Sequence, residues 1–421
     1  MDHVATSSGS VYTLQQHFRS REVLLHDVTI RIHHMAKHIL PPDESELPPP
    51  KIPWNKNVSM SMVATTTYIP YSGEAQATSS SSDTFILHNF REFLFLYPFD
   101  NMETAVDIMR FTHIPICHDF RVPMLPVQPT NLVVALASCD ILVFDPLHGL
   151  DTSSHHNRNG GVCSSPIAAA KWVQQSHTEF AVAHENGAIY VYDHTFQDES
   201  SYDSMDIEQP EAEFTLLKQR EDRTNPVACW HVSSQAIYDL AFSPNGKYMA
   251  CVGKTGALTV FQYHMQRKIA MMQSHFGALT CLSWSPNSLY IVTGGQDDLV
   301  TLWSLQHNSA LARCEGHESW VTSVAFDPWF TSHTSVRFGS VGEDGILCLW
   351  DFTLPDDDTK LYDMSPVLRV KVAAGPLTHI VFHATSIALT SRDGSLWIYS
   401  RPSSDALPSP DLAHTIPSYS F

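Results

Sequence analysis

The 421-residue sequence predicts an all-β protein, a seven-bladed β-propeller with loop insertions, on three observations. A phrase recurs: Ile237-Tyr-Asp-Leu-Ala-Phe-Ser-Pro-Asn-Gly246, then Leu279-Thr-Cys-Leu-Ser-Trp-Ser-Pro-Asn-Ser288, then Val321-Thr-Ser-Val-Ala-Phe-Asp-Pro328. The aromatic residue of each copy, Phe242, Trp284 and Phe326, follows the last by an even step of 42 residues. Short β-type runs at a constant period of this size mark four-stranded blades set in a ring. Weaker copies on both sides bring the count to seven, and seven blades of ~40–45 residues need about 300 residues, which leaves room for decorations.

Taken in chain order, Ser10-Val-Tyr-Thr-Leu14 is a short strand suited to completing the last blade, because a blade that draws on both chain ends removes two sheet edges at once. Residues 54–99 form the first blade, with Val58-Ser-Met-Ser-Met-Val63 and Phe93-Leu-Phe-Leu-Tyr97. Asn131 to Asp145 belongs to the next, and Ile167 to Asp193 to the third. The three strong copies follow, and Leu377 to Tyr399 supplies the last. The expected organisation is an N-terminal arm at 1–53, a propeller at 54–402 and a tail at 403–421. Three stretches read as excursions: 38–53 with six prolines, the Ser-rich 73–83, and 197–213 with seven acidic residues.

Two blades carry a recurrent polar quartet of the WD type. His275, Thr293, Asp297 and Trp303 form one; His317, Ser340, Asp344 and Trp350 form the other. In both, the hydroxyl precedes the Asp by four positions and the Asp precedes the Trp by six. A tight turn inside a packed blade encloses a carboxylate that needs donors, and His, hydroxyl and indole N–H supply them. Repetition of the same set argues for a structural role, since chemistry needs only one copy.

Composition narrows the function. A formal charge of −19, with 25 Lys and Arg and no run of them, disfavours nucleic acid and anionic membranes as partners. Eight singly placed Cys, without a paired spacing, suit a reduced intracellular compartment: the cytoplasm is expected, with the nucleus as an additional site. The N-terminus lacks the pattern of a signal peptide, and no run of 18 apolar residues predicts a span. Val252-Gly-Lys-Thr255 lacks the upstream glycine of a phosphate loop, since Tyr248 stands there. The His groups, His33, His34 and His38 and the pair His155 and His156, fall in expected loops or a short helical insert without Cys partners, a poor basis for a metal site. No catalytic residue, metal or cofactor is expected, and the chain is not expected to be an enzyme.

The informative side chains are aromatics that packing does not request. Phe276 and Trp320 lie just after the loop His of neighbouring blades, at the narrower rim of the ring, where they form a candidate partner-binding patch that Tyr238 extends.

The longer phrases, Tyr290-Ile-Val-Thr-Gly-Gly-Gln-Asp-Asp-Leu-Val-Thr-Leu-Trp303, Gly316-His-Glu-Ser-Trp-Val-Thr-Ser-Val-Ala-Phe-Asp-Pro328 and Arg337-Phe-Gly-Ser-Val-Gly-Glu-Asp344, with Asn225-Pro-Val-Ala-Cys-Trp230 and the closing Arg401-Pro402, resemble the family of WD-repeat protein 20, the dystrophia-myotonica WD-repeat protein and the fungal catabolite-repression protein creC. The resemblance covers about 110 to 402. It implies a non-enzymatic scaffold that binds and activates a ubiquitin-specific protease, alongside further WD-repeat cofactors of the same complex, and it places Phe276 and Trp320 at the aromatic positions that grip the protease. The long Ser-rich insertion of animal relatives is reduced here to roughly 353–368. A substrate receptor of a cullin-type ligase, or another interaction scaffold, is the rival reading. Such receptors carry Trp-Asp-x-Arg after a third strand, whereas this chain has Trp350-Asp-Phe-Thr353 and Trp303-Ser304.

Overall fold

The computed structural model describes residues 3–7, 11–19, 32–34, 60–66, 82–99, 105, 107–121, 131–146, 149–198, 215–218, 224–274, 276–331, 334–354 and 360–401. The Pro-rich stretch 38–53, most of the Ser-rich and acidic excursions, His38, His275 and the tail 403–421 lie outside them.

Seven sheets of at least four strands make the ring. Their innermost strands are Met60–Thr66, Pro115–Phe120, Ile167–Trp172, Ile237–Phe242, Leu279–Trp284, Val321–Phe326 and Leu377–Phe382. Each lies against the next, and Leu377–Phe382 returns to Met60–Thr66, so the circle closes. Alternation within strands is subordinate to burial on both faces. Tyr290–Gly295 and Ser386–Ser391, for example, are buried at every position, because each sheet is sandwiched between two others.

The blades are tied by polar bonds as well as by apolar packing. The Asp119 carboxylate accepts from the Trp172 backbone N–H at 2.8 Å, and Asp239 accepts from that of Leu282 at 3.1 Å. Trp172 and Trp284 donate their indole N–H to the Asp119 and Ala241 carbonyls at 3.1 Å each. The Thr280 hydroxyl donates to Val321 O at 2.5 Å, and that of Thr322 to Leu377 O at 2.7 Å.

The last blade is completed by Val11–Arg19, which pairs antiparallel with Ser395–Ser400 and runs five residues beyond the Ser10–Leu14 stretch that the sequence suggests. The first blade also extends further than 54–99, since its outer strand is Asp107–Arg110.

Among the described residues, four blades carry a fifth, outermost strand: Ile32–His34 on the first, Thr215–Lys218 on the third, Tyr362–Met364 on the fifth and His3–Ala5 on the last. Two sequence expectations are corrected here. His33 and His34 sit in the added strand of the first blade, and His155 and His156 end the outer strand Gly149–His156 of the second, rather than in loops or a helical insert. The reduced insertion around 353–368 likewise supplies an ordered strand, Tyr362–Met364.

In the sixth blade the polar quartet is assembled as its spacing demands. His317 Nδ1 meets Asp344 at 3.0 Å and its Nε2 meets the Ser340 hydroxyl at 2.8 Å, while the Trp350 indole N–H donates to that hydroxyl at 2.9 Å. Burial pushes the Asp344 carboxyl up, but bonds from His317 and from the Glu318 and Ile346 backbones outweigh it and hold the group below the usual range. In the fifth blade the Trp303 indole donates to Thr293 at 2.8 Å and Asp297 caps Leu299 N–H at 3.3 Å. The second blade has a variant that the sequence did not reveal, in which Asp140 pairs with His155 at 3.0 Å and accepts from Ser138 at 2.5 Å.

Candidate functional site

The loops that enter the innermost strands and the turns between second and third strands share one face of the ring, stitched by a repeated backbone bond. Lys254 N–H donates to Ala236 O at 2.8 Å, Gln296 N–H to Ala278 O at 2.9 Å, Glu343 N–H to Trp320 O at 2.9 Å and Arg392 N–H to Pro376 O at 3.0 Å. Pro166 and Ile114 accept in the same way in earlier blades. The fold needs only a carbonyl at this position, and elsewhere the side chain is Ala, Pro or Ile. Trp320 is the one bulky aromatic of the set, and it keeps 36% of its surface exposed.

Phe276 is 68% exposed. In the 42-residue register it matches Glu318, not Trp320, so the two aromatics reach the rim from different points of equivalent loops on neighbouring blades. With Tyr238, Lys254, Thr255, Gln273 and Gln296, Phe276 lines an open concavity of about 660 Å³ between the fourth and fifth blades. Tyr238 is half-buried, and burial together with the Glu185 carboxylate raises its phenol above the ordinary value. The structure therefore brings Tyr238 and Phe276 into one hollow and sets Trp320 on the next blade of the same face. From the sequence, Lys254 stands out only in the rejected phosphate-loop pattern, and Gln273 and Gln296 not at all, because nothing local marks a polar residue as the wall of a hollow.

Charged rim residues near Trp320 are already committed within the chain. Arg369 donates to Glu318 and, at 2.7 Å, to Gly316 O; Lys371 donates to Asp344 O; and Arg392 pairs with Glu343 at 3.0 Å. Apolar rings rimmed by mutually satisfied charges make a surface that loses little on desolvation by a partner.

The central channel, with a cavity of about 440 Å³, is lined by the innermost strands. Its carboxylates Asp119 and Asp239 are the ones that tie neighbouring blades, and Lys171 pairs with Asp119 at 3.3 Å. His155 and His156 are engaged by Asp140 and by Asp198, each at 3.0 Å. Among the described residues no three His, Cys, Asp or Glu side chains converge as a metal-holding group. All eight cysteines are buried thiols.

The WD domain, G-beta repeat family matches residues 225–261, 266–304 and 308–351. The chain is a seven-bladed WD40-repeat β-propeller, a class of non-catalytic protein-interaction scaffolds. It is related to WD repeat-containing protein 20 of Mus musculus, at 31% identity over 329 residues, 67% of this chain and 56% of that protein. It is similar also to the UBP9-binding protein bun62 of Schizosaccharomyces pombe, at 31% identity over 267 residues, 60% of this chain and 49% of that protein. The chain spans about half the length of these relatives.

Proposed function

We propose that this propeller binds a ubiquitin-specific protease through the rim formed by Tyr238, Phe276 and Trp320 and raises its activity. The observation that carries the reading is the exposure of two large rings on adjoining blades of one rigid face, one of them at a position where the repeat needs no side chain. The fission-yeast relative, named for binding Ubp9, supports the choice of partner. A closed ring holds its rim loops in place before contact, so docking costs little ordering entropy. Activation then follows by population shift: if the docked conformation of the protease is the competent one, tenfold activation needs about 1.4 kcal/mol of differential affinity. In this scheme no group of the chain touches the scissile bond.

The test is co-purification of the tagged chain followed by turnover of a fluorogenic ubiquitin substrate by the recovered protease with and without added chain. Stoichiometric recovery with accelerated turnover supports the proposal. Recovery of a ligase adaptor in place of a protease, or a bound protease with unchanged turnover, overturns it.

A further inference from the structure

The fourth and fifth blades are built to the same register, yet their outer edges differ. In the fifth, Ser309–Glu315 carries a bulge at Leu311, and beyond it Ala312, Arg313 and Cys314 pair in parallel with Tyr362, Asp363 and Met364. In the fourth, Arg267–Gln273 carries its bulge at Ile269, 42 residues earlier in register, and presents Ala270, Met271 and Met272 at the matching positions. Among the described residues no strand lies on that edge.

The difference in cover is visible in the side chains. Leu311 is fully buried, and Tyr362 and Met364 pack against its cluster. Its counterpart Ile269 is only half-buried, and Met271 is 61% exposed. Among the described residues, a paired edge and one with no neighbouring strand thus stand side by side on blades of one design. Bare edges present a row of unpaired backbone groups ready for another strand.

Charge indicates what such a strand carries. In a chain of formal charge −19, residues 237–273 hold four cations, Lys247, Lys254, Arg267 and Lys268, against one carboxylate, Asp239, which lines the channel. Arg267 begins the edge. It repels a second copy of this strand while attracting an acidic one.

We propose that Arg267–Gln273 is a strand-addition site, separate from the aromatic rim, for an extended segment of a partner protein. That segment runs parallel to the edge, sets two apolar side chains opposite Ala270 and Met272 as Tyr362 and Met364 do opposite Ala312 and Cys314, and carries acidic residues just before them. Opposite Met271 it bears an apolar residue, where the fifth blade sets Asp363 opposite Arg313.

The probe is a fluorescein-labelled peptide, Glu-Asp-Glu-Leu-Tyr-Val-Met-Ser-Pro, and the readout is anisotropy on the full chain. Saturable binding is expected, weakened about tenfold by the charge-reversed variant R267E. Two further peptides are N-methylated at alternate residues in the two opposite phases. Strand addition uses one phase only, so one of them loses binding and the other keeps it. No binding, equal tolerance of both phases, or indifference to the charge reversal overturns the proposal. Binding seen only after residues 199–214 are replaced by a Gly-Ser linker also overturns it, since the chain's own acidic segment is then the occupant.

Discussion

Arg401 and Asp327 form an ion pair at 2.8 Å in which the side chains are 2% and 0% exposed. The pair joins the end of the last blade to the turn that leaves the innermost strand of the sixth, under the rings of Trp329, Phe330 and Phe382. Burial pushes the Asp327 carboxyl up and Arg401 opposes it. Beside it, Arg337 makes a two-pronged contact with Asp351 at 2.5 and 2.6 Å and donates to the Tyr12 hydroxyl at 3.0 Å. The strand from the N-terminus is thereby held to the sixth blade as well as to the seventh.

Removing one partner of such a pair strands a buried charge. R401A is expected to cost about 3–5 kcal/mol in denaturant melts, whereas the paired exchange R401M/D327L is expected to cost far less. Equal losses in both variants would show that packing, not charge, is what Arg401 contributes.

Ser340 is fully buried and bridges His317 to Trp350. S340A leaves a ring nitrogen and an indole N–H without their shared partner, at about 1–3 kcal/mol for each group stranded. Threonine restores the hydroxyl, so S340T should recover most of the loss. A fully stable S340A would show that the quartet adds nothing to the blade.

Three histidines are enclosed in neutral form. Burial lowers His88 and His184 to about 4 and His118 to about 3. The unfolded chain takes up these protons near the ordinary value of 6.5. Their contribution to stability is therefore complete above that pH and declines as pH falls toward about 4, by up to ~1.4 kcal/mol per pH unit for each group. Comparing H184Q with the parent in urea at pH 7.5, 6 and 5 isolates one share, because the carboxylates cancel in the difference. A difference that stays constant across these pH values contradicts the assignment.

Phe276 is exposed and Trp320 partly so; their alanine variants are expected to leave the melting temperature nearly unchanged. Under the proposed function each lowers affinity for the protease by about 2 kcal/mol or more, mainly through faster dissociation. Surface plasmon resonance with the purified protease measures this. Retained affinity in F276A/W320A removes the rim from the reading.

Much of the architecture is legible because its signals are local and repeated. The 42-residue step links each blade to the next along the chain, and the Ser-Pro-Asn turns and the quartet spacing lie within one blade, so the count of seven and the placing of Ser340, Asp344 and Trp350 need no knowledge of distant contacts. The exposed rings stand out for a related reason: Phe276 and Trp320 occupy loop positions where a repeat requires a backbone and no particular side chain.

Contacts between distant parts of the chain leave no such mark, and only the tertiary structure decided them. Nothing around Tyr12 announces Arg337, 325 positions away, and nothing in Leu361-Tyr-Asp-Met364 announces a fifth strand. A strand's outer edge is indifferent to sequence, because any backbone can pair with it. The strand that closes the ring can be picked out from the sequence near Ser10–Leu14, but the hollow shared by Tyr238 and Phe276 and, among the described residues, the unpaired edge at Met271 arise from how blades of one local design meet around a circle.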